Sequence, residues 1–199
     1  KEQFVGESFG RINKAEAELT LLTLAEYYTK IGKQRVLNES IDVGIISPYR
    51  AQVQYLKKLI KKYEFFKPYR RLISVNTVDG FQGQERDVIL ISLVRSNDEG
   101  QIGFLKDLRR MNVAMTRARM KLIILGNKDT MTKHPFYKKL WEYVEAIIIM
   151  NKRIKAVVMN TMATAFPFLF INIMQITLCN LHNSKQIIIF ANKFKAIVR

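Results

Sequence analysis

At 199 residues, 48% of them hydrophobic, the chain can bury the core of one ordinary domain. Its single cysteine, Cys179, excludes a disulfide framework and a cysteine-based zinc site, and fits a reducing, intracellular compartment. The net charge of +16 suits a polyanionic partner, although basicity alone does not separate nucleic acid from an acidic membrane surface.

In chain order, residues 1–11 read as an irregular entry without an apolar core segment, so no secretory leader is expected. Asn13 is placed as a helix N-cap with Glu16 completing a capping box, and apolar residues from Ala17 to Tyr28 recur at helical spacing up to Gly32. A strand is predicted over Ile41–Ser47, ended by Pro48, then a helix over Tyr49–Lys62 with Val53, Leu56, Leu59 and Ile60 facing inward. Between Arg50 and Arg71, eight basic residues interleaved with Tyr63, Phe65, Phe66 and Tyr69 face one acid, Glu64; this reads as a solvated helix face with aromatics covering a sheet edge. Strands follow at Leu72–Asn76 and Asp87–Val94, then a loop at Arg95–Phe104 that its two glycines mark as mobile. A helix over Asp107–Ala118, a strand over Leu122–Leu125 stopped by Gly126, and a helix over residues 130–146 complete the pattern. The short Ile/Val/Leu runs do not alternate strictly, which is how strands buried on both faces of a parallel sheet read. The fold class is therefore α/β, with ligands expected at the carboxyl ends of the strands.

The polar clusters between these strands carry the chemistry. Arg109, Arg110, Arg117 and Arg119 place four guanidinium groups within eleven residues. Each is always charged and forks two N–H groups toward one anion, which suits charge on a transferring phosphoryl group. Glu85, following Gly80 and Gly83, is suited to orient a water or accept a hydrogen bond. From chemistry alone, a solvated basic helix and a glycine-containing surface loop remain an equal alternative. Met111 and Met115 read as core fillers, and no metal site is expected.

Two whole segments shift that balance. Val75-Asn76-Thr77-Val78-Asp79-Gly80-Phe81-Gln82-Gly83-Gln84-Glu85 and Asn112-Val113-Ala114-Met115-Thr116-Arg117-Ala118-Arg119 closely resemble motifs V and VI of superfamily 1 helicases, in the branch of the nonsense-mediated-decay helicase and senataxin. Ile45-Ile46-Ser47-Pro48-Tyr49-Arg50-Ala51-Gln52 resembles motif IV of that branch, and Ser92-Leu93-Val94-Arg95-Ser96-Asn97 with Gly103-Phe104-Leu105 resembles its link between motifs V and VI. The ordered set covers roughly residues 12–144.

The resemblance implies a RecA-like parallel sheet flanked by helices on both faces, acting as the second motor domain of a helicase that translocates on single-stranded DNA or RNA. ATP and Mg2+ would be shared with a first RecA-like domain, because neither a phosphate-loop sequence nor an acidic Mg2+-binding strand end occurs here. It further implies that Arg117 is an arginine finger and that Glu85, Gly83 and Gln82 meet the nucleotide. Thr77 and the Arg95-Ser96-Asn97 loop would touch the nucleic-acid backbone, with Pro48, Tyr49 and Gln52 shaping the edge of that track. Arg110 and Arg119 are assigned to hold the motif VI helix against Asp79 or Glu85. Two other classes stay open: a nucleic-acid-binding module without a motor, and a membrane-associated protein.

The second of these rests on the tail. All 17 acidic residues lie at or before Glu145, with 26 of the 33 basic ones, so residues 1–145 read as the motor domain and 146–199 as a separate basic, hydrophobic tail. Its uncharged stretch between Lys155 and Lys185 is long enough to span a membrane, but Asn160, Asn172, Gln175, Asn180 and Pro167 weigh against a membrane partner. The tail is read as a peripheral or non-native extension.

Overall fold

The computed structural model describes residues 1–5, 10–81 and 83–146, together with the backbone of 186–192. Where the sequence reads as irregular, β1 (Gln3–Val5) and β2 (Gly10–Ile12) pair antiparallel. Strands of three residues are too short to show a periodicity. Helix α1 (Lys14–Ile31) begins at Asn13, whose side chain accepts a hydrogen bond from Glu16 N at 3.1 Å, and closes at Gly32, whose N–H returns to the Tyr28 carbonyl. The reciprocal half of the capping box does not form. Asn13 N donates instead to Gln52 Oε1 at 2.9 Å, and the Glu16 carboxylate turns into the core. A short α2 (Lys33–Asn38) follows without a sequence signal of its own.

Five strands form the main sheet in the order β4-β3-β5-β6-β7. The first four, β3 (Val43–Ile46), β4 (Ile73–Asn76), β5 (Arg86–Ser92) and β6 (Ala118–Asn127), are mutually parallel, and β7 (Gln186–Asn192) adds antiparallel at the β6 edge. On one face lie α1, α3 (Arg50–Lys62) and a 3-10 segment over Glu64–Tyr69, which bury Leu24, Tyr28, Leu56 and Phe66 against the sheet. The other face is covered by α4 (Leu108–Met115), α5 (Lys128–Met131) and a helix over 135–146 (α6), packing Met111, Met115, Met131 and Leu140. Both faces are covered, so β3 and the body of β5 are buried on both sides and the alternation is lost there. This is the α/β, RecA-like sheet flanked by helices on both faces.

Three boundaries differ from the sequence reading. Helix α4 stops at Met115 and β6 begins at Ala118, paired with Arg86, so Arg119 lies on a strand and not on the helix. Gly126 does not stop β6; a Cβ there would stand 2.7 Å from Leu93 Cδ1, so its bareness admits the Leu93 side chain. The helix expected over 130–146 breaks into α5 and α6 at a turn containing His134. The loop expected to be mobile is tied down: Asn97 Oδ1 accepts from Gln101 N at 2.8 Å, and Thr130 Oγ1 donates to the Asn97 carbonyl at 2.7 Å. No helix among the described residues is long and apolar enough to cross a membrane. The uncharged run of the tail lies outside them.

Candidate functional site

Strands β4 and β5 are both parallel to β3, which lies between them, so the chain leaving β4 at the carboxyl edge of the sheet must reach the amino edge before β5 begins. Such crossovers ordinarily take a dozen or more residues. Here residues 77–85 suffice, with one 3-10 turn at Asp79–Phe81. Phe81 pins the crossing to the sheet. Its ring is fully buried, and a Cβ on Gly44 of β3 would stand 2.9 Å from Phe81 Cε1. One short segment therefore has an end on each edge of the sheet. The polar residues of this loop therefore do not all lie where the strands end, as the sequence reading placed them.

At the carboxyl edge an open cleft brings together Pro48, Thr77, Asp79, Phe104 and Arg110. The Thr77 hydroxyl accepts from Gly80 N at 3.4 Å, which leaves its own hydrogen available to the cleft. Arg110, expected to hold the motif VI helix against Asp79 or Glu85, stands 3.9 Å from Asp79 and 3.5 Å from Asp107, all three exposed.

Other residues expected on this track are turned inward. Gln52 is 0% exposed; its amide nitrogen donates to the Asn13 carbonyl and to Ser92 Oγ, both at 3.1 Å, while its oxygen holds Asn13 N. Arg95 is 3% exposed, its Nε donating to the Gln101 carbonyl at 2.6 Å and lying 3.3 Å from Glu2 Oε2. Ser96 N and Asn97 Nδ2 also donate to the Glu2 carboxylate, at 3.2 and 3.1 Å, and Ser96 Oγ accepts from Asn127 Nδ2 at 3.0 Å. A carboxylate more than ninety positions away in the chain thus consumes the donors of Arg95-Ser96-Asn97. That partner is invisible to local sequence reading, and these three residues and Gln52 are scaffold here. Tyr49 is also buried, its ring tilted against that of Phe104.

At the amino edge, Gly83, Gln84 and Glu85 are exposed. Gly83 has φ 78, a conformation L side chains rarely adopt, and no heavy atom lies within 4 Å of where its Cβ would stand. Gln82 lies outside the described residues. Arg86 N donates to the Arg117 carbonyl at 2.9 Å, which seats Glu85 beside Arg117 in the sheet. Arg86 pins the end of the loop through the Glu85 carbonyl at 2.9 Å and Gln84 Oε1 at 3.0 Å.

The two motif VI arginines then separate. Arg119 binds Asp87 Oδ1 at 3.0 Å and Asp42 Oδ1 at 2.9 Å, not Asp79 or Glu85 as expected, because its place on β6 faces the acids at the starts of β3 and β5. Arg117, half-buried between α4 and β6, donates through Nε to the Val113 carbonyl at 3.1 Å. Among the described residues no carboxylate pairs with it.

A parallel sheet covered on both faces, with one loop running from a cleft at its carboxyl edge to its amino edge, is a RecA-like fold. Residues 1–129 match the model of the AAA domain family. The chain belongs to this family, in the senataxin-like branch of the superfamily 1 helicases. It is 39% identical over 145 residues to the Arabidopsis thaliana protein described as probable helicase MAGATAMA 3, covering 73% of this chain and 17% of that one. It is 38% identical over 146 residues to an uncharacterised ATP-dependent helicase of Methanocaldococcus jannaschii, covering 73% and 20%. Against the DNA polymerase alpha-associated DNA helicase A of Saccharomyces cerevisiae it is 53% identical over 91 residues, covering 46% and 13%. The chain thus spans a fifth or less of the length of these relatives.

Proposed function

We propose that this chain is the second RecA-like motor domain of an ATP-dependent superfamily 1 helicase, working against a first RecA-like domain on single-stranded DNA or RNA. The observation that carries the reading is the crossing of residues 77–85, which joins Thr77 at one edge of the sheet to Gly83 and Glu85 at the other. The middle of that segment, Phe81, is buried in the core.

The amino edge fits a polyphosphate: bare backbone at Gly83 and a guanidinium at Arg117 without an acidic partner among the described residues. ATP, when bound there, supplies the phosphoryl group that passes to water. The Arg117 fork holds charge at that group, and Glu85 accepts a hydrogen bond from the nucleotide or its water. The resemblance assigns the ligands of Mg2+ to the first domain. At the carboxyl edge Thr77 and Pro48 meet the strand backbone, and Arg95, Ser96 and Asn97 hold the surrounding loop in shape. The family and its helicase relatives support the reading.

Purified residues 1–199 alone should turn over ATP negligibly, with or without single strands, because half of the nucleotide site is supplied by the first domain. Robust strand-stimulated hydrolysis by this chain alone would overturn the half-site reading.

A further inference from the structure

Phe104 is 64% exposed, although large apolar side chains gain about 1.5–3 kcal/mol from burial. Its position is nevertheless fixed. It sits on the 3-10 turn Gly103–Lys106 between Ile102 and Leu105, both buried, and the Leu105 carbonyl accepts from Tyr137 Oη at 2.9 Å. Gly103, at φ 55, lets this turn close onto Tyr49; a Cβ there would stand 3.0 Å from the Tyr49 hydroxyl. The Tyr49 ring, 5% exposed, packs behind Phe104 with centroids 5.8 Å apart and planes at 58°. A buried tyrosine thus braces an exposed phenylalanine at the mouth of the cleft that holds Pro48 and Thr77.

We infer that Phe104, braced by Tyr49, is a stacking platform for one unpaired base of the nucleic-acid strand that runs past Thr77. The surroundings favour a base over a protein side chain. The cleft wall is mixed: Thr77, Asp79 and Arg110 stand among apolar Val78, Ile91, Leu105 and Met111 beside a single aromatic, and the chain carries +16. A nucleotide matches that mixture, since its base has an apolar face and its phosphate meets polar and basic groups. The ring reads no base edge, so the platform is indifferent to sequence. Phe104 is a binding residue; Tyr49, which acts through it, is a positioning residue.

The inference rests on the proposed strand-binding role, and the test keeps the two apart. Full-length protein, as wild type, Phe104→Ala and Phe104→Tyr, is titrated with single-stranded oligonucleotides carrying one 2-aminopurine at successive positions, and with matched oligonucleotides abasic at the same position. Wild type and Phe104→Tyr should quench the fluorophore at one position. Phe104→Ala should lose that quenching and bind about 5- to 150-fold more weakly. The abasic site should weaken wild type comparably and leave Phe104→Ala unaffected. Wild-type affinity and quenching in Phe104→Ala, or equal sensitivity of both proteins to the abasic site, would overturn the platform while leaving strand binding intact. A wild type that shows no salt-dependent binding of any single strand overturns the strand-binding role and the platform together. Phe104 is exposed, so unchanged melting of the alanine variant verifies that folding is not what moved.

Discussion

Glu16 Oε1 accepts the backbone N–H of Val94 at 2.7 Å, and Val94 stands at φ 71, a left-handed conformation unfavourable for a β-branched residue. The same oxygen accepts from Ser92 Oγ at 2.7 Å, and Asn13 Nδ2 donates to the Val94 carbonyl at 3.1 Å. The first turn of α1 thereby sets the bend at which β5 gives way to the Arg95 loop. Strain of this kind costs on the order of 1–3 kcal/mol and persists only where its neighbours over-determine it. Here a fully buried carboxyl does so, and burial pushes its pKa up to about 7 despite the hydrogen bonds that favour the carboxylate.

That shift makes stability pH-dependent. Because the folded pKa is raised, the contribution of Glu16 is fully present below its unfolded value near 4.5 and is lost as pH rises through about 7. The loss amounts to about 3 kcal/mol between pH 4.5 and pH 8. Denaturant unfolding across that range should show wild type losing more stability with rising pH than Glu16→Gln, which keeps the neutral form. Parallel pH profiles would remove Glu16 as the source.

Arg117→Ala should leave melting nearly unchanged, since one hydrogen bond to the Val113 carbonyl is lost, worth about 1 kcal/mol. ATP turnover of the full-length protein should fall by about 10³ or more, the scale of arginine fingers. Arg117→Lys should fail nearly as badly, because a point charge does not reproduce the fork. Steady-state turnover and a melting curve on the same preparations decide it; near-normal turnover removes Arg117 from the site.

Arg119→Ala should show the reverse pattern. It leaves Asp42 and Asp87 facing each other without their shared cation, which costs about 1 kcal/mol for a half-exposed pair. Turnover should change less than threefold once unfolding is corrected for. A loss matching that of Arg117→Ala would mean that both arginines serve the nucleotide.

Gln52→Leu should destabilise the chain by about 1–3 kcal/mol, because it strands the buried Asn13 N, whereas the Asn13 carbonyl keeps Ala17 N and Ser92 Oγ keeps Glu16. Strand affinity per folded molecule should stay within twofold of wild type. Selective loss of affinity at unchanged stability would return Gln52 to the strand track.

The sequence by itself determined the sheet, because apolar runs and helical periodicities are local and survive any packing. It also supplied the order of the motif segments and singled out Arg117 from its neighbours by its place in motif VI. Tertiary structure alone decided which polar residues are free. Arg95, Ser96 and Asn97 read as a basic, open loop until Glu2, from the far end of the chain, takes up their donors. Gln52 reads as a surface residue on a helix until Asn13 and Ser92 close on both ends of its amide. Arg117 and Arg119 are two residues apart and chemically alike; only the register of β6 against β5, which brings Asp42 and Asp87 to Arg119, leaves one guanidinium spent and the other available. Hydrogen-bond donors are consumed by whichever acceptors the fold brings near, and in a parallel sheet those acceptors come from strands far apart in the chain.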